Sequence, residues 1–91
     1  MQEEKLKYKI SIDKNALKFL DKLDEFKYEH LIDEIFYLEN EPRPVGCTKL
    51  NVNQGYRIKW NSYRILYIIN DKEKLITIYK IAHRKEAYKK K

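Results

Sequence analysis

Ninety-one residues make one small domain, with 43% hydrophobic and 13% aromatic residues, enough to close one core without staples. One cysteine, Cys47, excludes an internal disulfide and reads as a small buried apolar residue. The longest uninterrupted apolar run, Ile65 to Ile69, is too short to span a bilayer, and Met1-Gln2-Glu3-Glu4-Lys5 is no signal peptide. A single soluble, cytoplasmic domain covering residues 1–91 is expected. The net charge of +6 is segregated: residues 1–45 carry −3 and residues 46–91 carry +9. Scattered solubilising lysines do not explain that split, which points to a phosphate-binding surface in the C-terminal half.

In chain order, Tyr8 to Asp13 alternates, with Tyr8, Ile10 and Ile12 on one face and Lys9 and Ser11 on the other. The alternation predicts an edge or half-buried strand. Asp13 or Asn15 can cap the helix that follows, whose apolar positions are Ala16, Leu17, Phe19, Leu20 and Leu23. Asp24-Glu25-Phe26 is expected to bend the chain into a second helix from about Lys27 to Leu38, burying Leu31, Ile32, Ile35 and Leu38. His30 on that helix is expected to be structural or exposed. Glu41-Pro42-Arg43-Pro44 ends the helix, because proline cannot continue its hydrogen-bond ladder.

Beyond the prolines the period becomes that of strands. Thr48 to Asn51 is a short one, and Gly55 to Trp60 faces Tyr63 to Ile69 across a turn at Asn61-Ser62. Asn70-Asp71-Lys72-Glu73 turns the chain into a last strand, Leu75 to Ala82. A short helix or frayed tail is expected from His83. The order β-α-α-β-β-β-β predicts an α+β fold, a helical hairpin packed on a four- to five-stranded, mainly antiparallel sheet.

The central hairpin carries the chemistry. Its register pairs Trp60 with Tyr63, Lys59 with Arg64, Ile58 with Ile65 and Tyr56 with Tyr67. One face is then apolar and aromatic, and the other carries Arg57, Lys59 and Arg64. Two like charges directly opposite destabilise a sheet by some tenths of a kcal/mol to about 1, so that face is expected to hold a polyanion. The alternative is a solvated face of a half-exposed sheet. Trp60 and Tyr63 read as a core pair rather than as base-stackers.

The Tyr56-Arg57-Ile58-Lys59 and Tyr63-Arg64-Ile65-Leu66-Tyr67 strands and the terminal His83-Arg84-Lys85-Glu86-Ala87-Tyr88 segment resemble the RelE/ParE toxin superfamily. The proline break and the Lys49-Leu50 step before the hairpin match as well, and the likeness runs from about Tyr8 to Tyr88. It is nearer the RelE branch, whose members cut mRNA in the ribosomal A site without a metal or other cofactor. The positions that match the family's working residues are Arg57, Lys59, Arg64, Arg84 and Tyr88; Arg57 stands where the usual pattern has lysine. The resemblance also implies a RelB-like antitoxin partner, besides the ribosome and mRNA.

Metal-free cleavage needs a base for the ribose 2′-OH, positive charge at the phosphorane and an acid for the leaving 5′-oxygen. Two histidines and one cysteine, widely spaced, make no zinc site. Arg57 and Arg64 are assigned as phosphate clamps, since a guanidinium cannot take a proton. Lys59, about 7 Å from Arg57 along one strand, lies between two guanidinium groups that disfavour its charged form. It is the first candidate for proton transfer, and His83 the second, although His83 also reads as a strand-end residue bonded to backbone. Arg84 would assist the transition state or leaving group. Tyr88 would stack on a base or orient the 2′-OH, or else simply pack on the sheet. Lys49 and Lys85 are supporting phosphate contacts. Two rival functions stay open, a ParE-like inhibitor of DNA gyrase and a non-catalytic nucleic-acid-binding relative.

Overall fold

The computed structural model describes residues 7–51 and 55–84. Strand β1 (Lys9–Ile12) leads into helices α1 (Lys14–Asp21) and α2 (Glu25–Tyr37). Strands β2 (Thr48–Lys49), β3 (Gly55–Trp60), β4 (Tyr63–Asn70) and β5 (Leu75–His83) follow. The five strands form one sheet in the order β1-β5-β4-β3-β2. All neighbours are antiparallel except β1 and β5, which the helical crossover makes parallel. The expected helical hairpin on a mainly antiparallel sheet is the fold observed.

Differences from the expected boundaries have local causes. Helix α2 begins at Glu25 rather than Lys27 because the Asp24 carboxylate accepts a hydrogen bond from the Lys27 backbone N–H at 2.9 Å, capping the first turn. Asp13 is the N-cap of α1, without a side-chain hydrogen bond. Strand β2 stops at Lys49 instead of Asn51, although the Leu50 N–H still donates to the Gly55 carbonyl at 2.8 Å. Strand β5 runs one residue past Ala82, to His83.

The hairpin register is the one the alternation predicts, from Gly55 opposite Ile68 to Trp60 opposite Tyr63. Asn61 takes φ +57°, at the first of the two turn residues, the left-handed position that a primed hairpin turn needs and that Asn tolerates. Tyr56, Ile58, Ile65, Tyr67, Ile69, Ile76, Ile78 and Ile81 line the helix side of the sheet. Ala16 and Leu20 of α1 and Leu31, Ile35 and Leu38 of the α2 region close over them. All but half-buried Tyr56 are essentially solvent-free, so this layer supplies the hydrophobic stabilisation.

Strand β5 departs from simple alternation. Leu66 pairs with Lys80 but Tyr67 pairs with Ile78, leaving Tyr79 as an extra residue in a bulge. Before it, Ile76 and Ile78 face the helices; beyond it, Ile81 and His83 do. The bulge therefore turns Lys80 and Ala82 to the opposite side.

At the end of the sheet away from the Asn61 turn, Arg43 ties four segments together. Its Nη2 donates to Asp71 Oδ2 at 2.9 Å, its Nη1 to Asp71 Oδ1 at 3.4 Å, and its Nε to the Tyr56 hydroxyl at 3.0 Å. Tyr8 donates to the same Asp71 carboxylate at 2.6 Å. Nearby, Tyr67 donates to the Pro42 carbonyl at 2.8 Å, and burial pushes its phenol well above the ordinary range, helped by the neighbouring Cys47. The segment after α2 is thus pinned to β1, β3 and the β4–β5 turn.

Two outcomes follow. Asn61→Val should lower unfolding free energy by about 1–2 kcal/mol in urea titration, whereas Asn61→Gly should leave it nearly unchanged. Arg43, and secondarily Tyr8, hold the Asp71 carboxyl below the usual carboxylate range. A depressed native value stabilises the fold above the unfolded value of about 3.9 and loses that contribution as pH falls through the native value. Thermal melts of the wild type should therefore fall more steeply below about pH 4 than those of Asp71→Asn.

Candidate nucleic-acid interface

Strand alternation puts Arg57 and Lys59 of β3 on the side of the sheet away from the helices, and the hairpin register adds Arg64 of β4. The cross-strand pair Lys59 and Arg64 is present as expected. Lys80 joins them from β5 through the Tyr79 bulge. Two rows thus cross the sheet, Arg57–Leu66–Lys80 and Lys59–Arg64–Ala82. Four cations border a floor of Leu66 and the buried Ala82. With strands about 4.8 Å apart, Arg57 and Lys80 stand roughly 10 Å from each other at the backbone, near enough to hold successive phosphates of one strand.

The cations differ in exposure. Lys59 and Lys80 are exposed, Arg57 is half-buried and Arg64 is only 8% exposed. Arg64 Nη1 donates to the carbonyls of Asn61 at 3.3 Å and Tyr63 at 3.1 Å. Part of its hydrogen-bonding capacity therefore secures the turn that sets the register, and it braces the site as well as charging it. Arg84 is brought to the same end of the sheet, its backbone N–H donating to the Ser62 carbonyl at 2.7 Å. Its side chain is exposed.

Two residues read from the sequence as part of the site are not brought to this face. His83 pairs with Tyr63, and its ring meets the Tyr63 ring edge-on at 5.7 Å on the helix side, across the sheet from Lys59. Lys49 pairs with Tyr56, so its strand position is on the helix side too, while its neighbour Thr48 lies beside Arg57. Lys85 and Tyr88 lie outside the described residues. Lys80 was missed by the sequence reading. The available signal was the change of isoleucine parity between Ile78 and Ile81, which betrays the bulge.

The aromatic pair Trp60 and Tyr63 lies on the helix side, rings stacked with centroids 6.2 Å apart. Phe19 closes on Tyr63 at 5.9 Å and His30 stacks on Trp60 at 5.0 Å, so both rings serve packing, as expected. Among the described residues no group of three or more His, Cys, Asp or Glu side chains gathers in the manner of a metal site, and no helix is long and apolar enough to cross a membrane.

The profile of the ParE toxin of type II toxin–antitoxin systems, parDE, matches residues 10–88. The chain belongs to the RelE/ParE toxin superfamily. Among solved structures, this toxin is similar to the archaeal RelE of a RelE–RelB complex from Pyrococcus horikoshii OT3, with 30% identity and a TM-score of 0.79. That match covers 87% of this chain and 97% of the other. It is similar as well to a chain of the intact E. coli RelBE toxin–antitoxin complex, with 26% identity, TM-score 0.73, and 84% and 95% covered. The RelBE2 toxin–antitoxin complex of Mycobacterium tuberculosis contains the same fold, at 22% identity, TM-score 0.76, and 91% and 98% covered. Comparison with curated protein sequences yields no match. The toxin is thus RelE-like in structure.

The opposed charges on this face are directly testable. Lys59→Glu should relieve the repulsion at Arg64 and raise unfolding free energy by a few tenths to about 1 kcal/mol. The same variant should elute from heparin at lower salt than the wild type.

Proposed function

We propose that this toxin is a metal-independent, ribosome-dependent mRNA endonuclease acting in the cytoplasm. The observation that carries the reading is the gathering of Arg57, Lys59, Arg64 and Lys80 on one sheet face, with Arg84 at its end. Such a face neutralises phosphate and supplies charge where a phosphorane develops. It carries no order of its own for a flexible RNA strand, which fits chemistry performed on mRNA already held extended by a ribosome.

In the proposed reaction the ribose 2′-oxygen attacks the adjacent phosphorus and the bond from phosphorus to the 5′-oxygen breaks, giving a 2′,3′-cyclic phosphate and a 5′-hydroxyl. Lys59 accepts the 2′-OH proton. Arg57 and Lys80 hold the phosphates on either side, and Arg64 adds charge while bracing the turn. Arg84 stabilises the charge on the leaving 5′-oxygen, which takes its proton from a solvent water, and Tyr88 stacks on or orients the nucleotide. With His83 across the sheet, Lys59 is the proton carrier of choice. The known partner type follows from the relatives: the Pyrococcus and E. coli proteins are bound to antitoxins in their complexes, and a RelB-like antitoxin is proposed here.

Brief induction should arrest growth and leave new transcript 5′ ends inside translated frames. Lys59→Ala and Arg84→Ala should each reduce cutting about a hundredfold or more. Intact transcripts in arrested cells would overturn the reading. The match to the ParE profile favours one second reading, inhibition of DNA gyrase, for which loss of supercoiling activity on addition of purified toxin is the deciding result.

A further inference from the structure

The bulge in β5 brings more to the outer face of the sheet than Lys80. Counting forward from Ile78, which faces the helices, alternation puts Tyr79 on the outer face. Counting back from Ile81 puts Lys80 there as well. An aromatic ring and a cation of β5 therefore stand side by side opposite Leu66 of β4, where an unbroken strand would offer one residue.

Tyr79 differs from the other aromatic side chains of the sheet. Tyr56 stacks on Tyr67 and Trp60 on Tyr63, all four on the helix side. Tyr79 makes no side-chain hydrogen bond and no ring contact among the described residues, and it is not part of the apolar layer under the helices. Its ring is half-buried, and that burial raises the phenol above its ordinary range. Strand β1 ends at Ile12, opposite Ile78, where the Asp13 N–H donates to the Ile78 carbonyl at 2.8 Å. Beyond that point no strand flanks β5 on its outer side among the described residues, so the ring stands at an open notch in the sheet.

The neighbourhood is one through which the proposed RNA path runs. Lys80 is exposed beside the ring, and Arg57 lies in the same row across Leu66. The row of Lys59, Arg64 and Ala82 is two residues, about 7 Å, further along the strands. Cations hold phosphates but leave the bases of a single strand without a contact, and an aromatic ring beside them supplies one.

We propose that Tyr79 is a stacking platform for one unpaired nucleobase, next to the phosphate that Lys80 holds. The proposal rests on the reading of this face as an RNA site, and it adds a second aromatic contact to that of Tyr88. Every base has a π-face, so Tyr79 adds grip and fixes the path of the strand without choosing a sequence.

The probe is a short fluorescein-labelled oligodeoxynucleotide, which lacks the 2′-OH and is not cut, titrated with toxin at low salt and followed by anisotropy. A labelled chain of abasic sugars and phosphates of the same length is the control. Tyr79→Ala should weaken binding of the oligonucleotide about five- to 150-fold and leave binding of the abasic chain unchanged. Tyr79→Phe and Tyr79→Trp should bind as the wild type does. The slope of log affinity against log salt should be unaltered in Tyr79→Ala, which loses no phosphate contact, and shallower by about 0.7 in Lys80→Ala. Urea titration checks folding, and Tyr79→Leu, which keeps apolar bulk without a ring, stands in should the alanine variant misfold. Unchanged affinity in Tyr79→Ala, an equal loss on the abasic chain, weak binding by Tyr79→Phe, or a wild type that does not hold the oligonucleotide overturns the proposal. Transcript 5′-end mapping reports on the nuclease reading separately, so cutting by the wild type joined to any of these results removes the stacking role alone.

Discussion

The turn at Asn61-Ser62 sets the register of β3 on β4, and that register decides which side of the sheet every hairpin side chain occupies. A slip of one residue would turn β3 over relative to β4, sending Ile58 outward and Arg57 and Lys59 against the helices. The turn is held by Asn61 in the left-handed conformation and by Arg64, whose guanidinium donates to the Asn61 and Tyr63 carbonyls. The same arginine therefore charges the site and secures the geometry that creates it. Opposing Lys59 to Arg64 costs stability that the apolar layer behind them, Ile58, Ile65, Ile78 and Ile81, more than offsets.

The sheet separates two electrostatic surfaces. Cations gather on the side away from the helices, while α2 and the segment after it carry acids and exposed apolar side chains beside the open edge of β3. Arg43 keeps the second surface in place. It is a cation of the −3 half of the chain, spent on Asp71 and Tyr56 rather than on phosphate.

Much of this was legible from residue order. Alternation and turn chemistry gave the hairpin register because side-chain parity in a strand has a period of two and the buried face tolerates no other pairing. Helix α2 was placed two residues late because Asp24 looked like part of a bend, whereas its carboxylate caps the helix. The Tyr79 bulge was harder to see. It shifts parity by one without any glycine or proline to mark it, so Lys80 entered the cationic face unannounced and His83 left it. Arg64 looked like a surface clamp, since nothing in a linear pattern reveals that a guanidinium folds back onto carbonyls of its own turn.

The chain by itself determined the class of fold, the β3–β4 pairing and the segregation of charge, because hydrophobic periodicity, turn residues and net charge are local or additive properties. Tertiary structure alone decided which cations share a face across three strands, where the acids of α2 meet the open edge of β3 and what Arg43 holds. Those depend on the bulge in β5, the length of β2 and contacts between residues far apart in the chain, such as Tyr8 with Asp71, 63 positions on. No local pattern encodes them, because each arises only when separate elements have already packed.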